Sequence, residues 1–101
     1  MNPKSKSVIS ISGHDLELTP VKGLCTEDGS PLRGQCWHDQ RKIAFDPAMN
    51  AQQKTETVLH ETIHEILFLA GYSDESMNEG MVTALANGLQ TVRINGKPLL
   101  R

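Results

Sequence analysis

From Gln52 to Ala70 the chain runs without a Gly or a Pro, and Leu59, Ile63, Ile66, Leu67 and Ala70 recur along it at helical spacing. Apolar residues three and four apart line one stripe of a helix, so this stretch must bury a face against another element. Asp46-Pro47 ends the segment before it, and Gly71 supplies a C-terminal stop. Within the helix stands His60-Glu61-Thr62-Ile63-His64. Two histidines four apart project from one face a turn apart, so their imidazoles can converge on one point. Each follows an apolar-face residue by one position, about 100° round the helix, which puts both on the shoulder of the buried stripe.

Converging imidazoles suit Zn²⁺, and a glutamate between them can reach water at the metal without being a ligand itself. Chance alone produces this pattern in about one chain in a hundred of this size, so its helical context matters. Two histidines and a carboxylate also suit Fe(II), but the four-residue spacing with an intervening Glu favours zinc. A catalytic zinc needs a third protein ligand.

After Tyr72-Ser73-Asp74, apolar residues resume at Val82, Leu85, Ala86, Leu89 and Val92, the pattern of a second amphipathic helix. Extrapolated backwards, its face passes through Glu79 and Glu75. If the helix returns antiparallel from Ser73, Glu79 comes back about 9 Å and Glu75 about 3 Å, against the roughly 10 Å from His64 to Gly71. Glu79 is therefore level with His64 and is the expected third ligand. Ser76-Met77-Asn78-Glu79 also fits a capping box, in which Glu79 bonds the serine backbone instead; a start at Ser73 leaves it free.

Ahead of the helix, Ser7 to Ser12 and Asp15 to Val21 read as a hairpin about Gly13-His14, with His14 a turn residue. Lys22 to Arg33 carries Gly and Pro turn signals and is expected to be a mobile loop. Gly34 to His38 and Lys42 to Phe45 form a second pair through Asp39-Gln40, and Lys97 to Arg101 reads as a frayed end. The expectation is an α+β domain over residues 7 to 101, a small antiparallel sheet of about four strands in two hairpins packed on two antiparallel helices, with residues 1 to 6 disordered.

The His-Glu-x-x-His helix, a short turn and a second helix opening at Glu79 resemble the gluzincin-type arrangement of small phage and prophage metallopeptidase-like proteins, and more distantly the ImmA/IrrE and SprT-like groups. The resemblance takes in the front hairpin from Val8 to His14, the segment Arg41 to Asp46 and the tail Gly88 to Gly96. Gly80-Met81 stand where the ImmA/IrrE group carries Ala-Asn. It implies that His60, His64 and Glu79 bind zinc, that Glu61 is the general base, and that a peptide lies extended along a sheet edge near Trp37 or Ile43. Tyr72 and His38 are candidates to stabilise the oxyanion, each with the alternative of a surface or packing role. Glu65 is expected to be solvated or to support a ligand.

At 101 residues and 38% hydrophobic, the chain has room for one core and for no separate recognition domain. A net charge of −2, a pI near 6.0 and few aromatic residues argue against nucleic acid as a partner, leaving a protein or peptide substrate. The polar start Met1 to Ser7 reads as neither signal peptide nor membrane span, so a cytoplasmic protein is expected. In that compartment Cys25 and Cys36 are free thiols by default, with a disulfide the next alternative; a metal site of Cys25, Cys36 and His38 lacks the usual Cys-x-x-Cys anchor. Three readings follow: a zinc peptidase, a catalytically silent zinc-bearing adaptor, and a metal-free domain in which Glu79 only caps its helix.

Overall fold

The computed structural model describes residues 7–100. The segment 1–6 expected to be disordered, and Arg101, lie outside them. The chain is α+β, as its patterning predicts. Strands β1 (Ser7–Ile11), β2 (His14–Pro20), β3 (Gly34–Trp37) and β4 (Lys42–Phe45) form one sheet in the order β1-β2-β4-β3. Helix α1 (Ala51–Leu69) packs on it, followed by a one-turn helix α2 (Ser73–Ser76), helix α3 (Glu79–Gln90) and a small hairpin, β5 (Arg93–Ile94) with β6 (Lys97–Pro98).

The sheet is mixed rather than antiparallel. Both expected hairpins form, but they join through parallel pairing of β2 with β4, Leu18 opposite Ile43 and Pro20 opposite Phe45. Composition explains the order: Ile43, Ala44 and Phe45 are all buried, so β4 needs cover on both faces and takes an interior position. The more polar β3 is left at the edge. In the first hairpin Ser12 and Gly13 have φ of 50° and 83°, the two left-handed residues of a tight turn. His14 is not at the tip; it begins β2 opposite Ile11. Nor is 22–33 featureless, since Cys25 bridges Pro31, Leu32 N–H donates to Leu24 O, and Leu24 is buried.

Two small apolar clusters flank α1. Ile11, Leu16 and Ile43 form one on the sheet, reached by Leu69; Ile63, Val82 and Ala86 form the other between α1 and α3, with Leu59 and Leu67 against them. The apolar stripe is narrower than its sequence suggests, for Ile66 is 44% exposed and Ala70 is also exposed. The buried positions in the middle of α1 include Glu61, His64 and Glu65. The expected second helix is divided, because Asn78 adopts an extended backbone and its side chain accepts from Met81 N–H at 3.0 Å, starting α3 afresh at Glu79. Of the end expected to fray, Lys97 and Pro98 form a strand instead: Asn95-Gly96, with φ of 52° and 78°, turns β5 into β6. Among the described residues no helix is long and apolar enough to cross a membrane.

Candidate active site

Helix α1 is fixed at both ends, which sets the direction of every side chain between them. Asn50 accepts from Gln53 N–H at 2.8 Å while the Gln53 side chain accepts from Asn50 N–H at 3.2 Å, a reciprocal cap. At the far end Gly71 (φ 91°) allows Tyr72 N–H to reach Leu67 O and Gly71 N–H to reach Phe68 O.

Helix α2 orients His64. The ring Nδ1 bonds the backbone carbonyl of Ser76, and the buried Ser76 hydroxyl donates to the His64 carbonyl at 2.7 Å. A carbonyl only accepts, so Nδ1 carries the hydrogen and Nε2 of the neutral ring presents its lone pair. Ser76 is thus a support for His64, not a helix cap for Glu79.

Glu79, the first residue of α3, brings Oε1 to 2.9 Å from His60 Nε2 and 3.3 Å from His64 Nε2, and the two Nε2 atoms lie 3.2 Å apart. Ligand atoms about 2.0–2.1 Å from a tetrahedral zinc stand about 3.3 Å from one another, so this triangle fits one such ion. The donor set agrees in kind: two imidazole nitrogens and a carboxylate oxygen. Glu79 is 72% exposed on its outer side, which leaves the triangle open to solvent from that direction.

Glu61 sits beside the triangle at 8% exposure. Burial pushes its carboxyl above the ordinary value, opposed by the nearby His64 and His60; Glu79 adds to the rise and the Cys36 backbone N–H works against it. A base needs such displacement toward neutrality. The approach of Glu61 to the sheet depends on Gly34 in β3: a Cβ there would collide with Thr57 Cγ2 and come within 3.2 Å of Ala44 O and 3.3 Å of Glu61 Cγ.

Two cavities meet at these residues. One, of about 370 Å³, is lined by Leu32, Arg33, Gly34, His60, Glu61 and Glu79 among others; the second, of about 350 Å³, by Gln35, Cys36, His38, Glu61, His64 and Glu79 among others. Successive β3 residues line both, so the sheet edge runs past the constellation.

Sequence reasoning thus named four residues that the fold brings together, His60, Glu61, His64 and Glu79. His38 also reaches this cleft, with Nδ1 bonded to Glu65 and its ring stacked on Phe68 at 4.1 Å. Tyr72 does not; it is 56% exposed and lines neither cavity. Ser76, a cap candidate from sequence, is instead the partner of His64, and of the two alternatives for Glu65 the solvated one is excluded, since it is 2% exposed. The signal for Glu65 was its place four residues after Glu61 and three before Phe68, on one helix face. Comparison with protein-family models, with curated proteins and with solved structures found no match.

Proposed function

We propose that the chain is a zinc-dependent peptidase. The observation that carries this reading is the triangle of His60 Nε2, His64 Nε2 and Glu79 Oε1, with a buried carboxylate beside it. Zinc in that triangle would supply Lewis acidity, lowering the pKa of water and polarising a carbonyl. The remaining work falls to the chain. His64 is held in its ligating tautomer by Ser76, and Glu61 takes a proton from water on its carboxylate and returns it to the leaving amine nitrogen.

Edge strand β3 supports a peptide as the substrate. It is paired on one side only, by β4, and its residues line both cavities flanking Glu61, so an extended peptide could add to it through backbone hydrogen bonds. Interior strand β4, and with it Ile43, is not available for such pairing. The resemblance to phage-type metallopeptidases supports a cytoplasmic protein as the source of that peptide. A silent adaptor would have no use for a buried carboxylate between its ligands.

The test compares wild type, Glu79→Ala and Glu61→Gln for zinc content by elemental analysis and for cleavage of a quenched-fluorescence peptide library. Glu79→Ala should hold one zinc per chain fewer than wild type. Glu61→Gln should keep its zinc and lose cleavage by about 10²-fold or more. Wild type without zinc, or Glu61→Gln cleaving like wild type, overturns the proposal.

A further inference from the structure

A second group of ligating atoms lies beyond the triangle, and the proposed peptidase reaction makes no use of it. Cys36 is in β3, His38 directly follows that strand, and Glu65 comes from α1. Cys36 Sγ is 3.4 Å from His38 Nδ1 and 3.5 Å from Glu65 Oε1, and His38 Nδ1 bonds that same oxygen. All three atoms are therefore mutually in contact. Around a tetrahedral zinc, a thiolate sulfur at about 2.3 Å stands about 3.5 Å from nitrogen and oxygen ligands, and both sulfur edges match. The nitrogen–oxygen edge is shorter, and would open on metal entry.

The surroundings are those of a built site. Phe68 lies flat against the His38 ring, fixing its plane, and Glu65 is buried. Cys36 and His38 line the 350 Å³ cavity, which leaves a path to solvent. Without a cation, one Glu65 carboxylate oxygen takes both the thiol and the imidazole as its hydrogen-bond partners, so all three ligating atoms already converge on one point. Burial and the charges of Glu65 and Glu61 push the Cys36 thiol up.

We propose that Cys36, His38 and Glu65 form a second metal site, selective for a divalent ion that accepts mixed sulfur, nitrogen and oxygen ligands, Zn²⁺ or Co²⁺. Binding replaces the Cys36 S–H bond with a metal–sulfur bond and releases that proton to solvent. The proposal stands independently of the peptidase reading.

Sulfur makes the test specific, because the His60, His64 and Glu79 triangle contains none. Metal-free full-length protein is titrated with Co²⁺ and followed by absorbance, with far-UV circular dichroism on each variant to show that it folds. Wild type should develop a near-ultraviolet sulfur-to-cobalt charge-transfer band whose final amplitude corresponds to one thiolate-bound Co²⁺ per chain. That band should vanish in Cys36→Ser, require at least about tenfold more Co²⁺ in His38→Asn and Glu65→Gln, and persist in Cys25→Ser and Glu79→Ala. A wild type with no band overturns the proposal. So does a band that forms at the wild-type Co²⁺ concentration in both His38→Asn and Glu65→Gln, or one lost in Cys25→Ser or Glu79→Ala. Failure of the first site shows separately, as Glu79→Ala binding no less cobalt than wild type.

Discussion

Glu61 is the residue on which burial and function pull in opposite directions. Its folded-state value lies above the ordinary 4.5 because burial outweighs the two histidines. Between the unfolded and folded values the native protein holds more protons than the unfolded chain, so this carboxyl makes stability fall as pH rises through that window. Glu61→Gln removes the titration and keeps the shape. In chelator, the variant should therefore melt at the same temperature as wild type or higher at pH 7, with the difference closing toward pH 4. Melting curves from pH 4 to 7 check this. A variant less stable at pH 7 would mean that His60 and His64 hold the carboxylate more strongly than burial opposes it. A base destabilised in the metal-free state is what a hydrolytic site needs, since any cation placed in the triangle relieves the cost.

Between elements, β3 comes up against α1 at Gly34, with no room for a side chain there. Gly34→Ala would drive a methyl into Thr57 Cγ2 with the Ala44 carbonyl behind it, so strand and helix must separate; a loss of about 1–3 kcal/mol is expected. Thr57→Ser deletes the obstructing methyl and keeps the hydroxyl that bonds Met49 Sδ. The double variant should recover much of the loss in urea denaturation, and additive losses would place the strain elsewhere. The same pair of elements marks how far the sequence could be read. The two histidines and Glu61 were legible because a continuous helix fixes their geometry from spacing alone. Glu79 was legible from helix lengths, although the helix that carries it is broken at Asn78, whose capping role is a local choice that periodicity does not report. The parallel pairing of β2 with β4 depends on which strand most needs burial on both faces, a comparison between distant segments. Cys36, His38 and Glu65 meet only because β3, paired to β4, lies against α1, a tertiary contact that no local spacing reports. By contrast, Asn95-Gly96 is a local hairpin signal that was open to reading and was passed over.

At the scale of the molecule, α1 divides a small core into two parts of unequal security. The cluster of Ile11, Leu16 and Ile43 belongs to the four-stranded sheet, whereas α3 is held to α1 by Ile63, Val82 and Ala86 and by whatever joins Glu79 to the histidines. Leu85, Leu89 and Val92 remain partly exposed, so α3 has few apolar contacts to spare. Zinc in the proposed triangle would cross-link α1 to α3 and bind the folded chain alone. At a thousandfold excess over Kd such binding adds about 4 kcal/mol, and in a chain of this size each kcal/mol moves Tm by about 4–8 °C. Stripping the metal should therefore lower Tm by about 15 °C or more, reversed by Zn²⁺, and in Glu79→Ala this response should be much reduced. The loss should also be uneven. Hydrogen exchange in chelator should accelerate across Glu79–Gln90 while β2 and β4 keep their protection, because their cluster does not include α3. If sheet and α3 lose protection together, the two clusters are one cooperative unit and the metal secures the whole fold; if neither changes, Glu79 is not a ligand and its carboxylate only bonds His60.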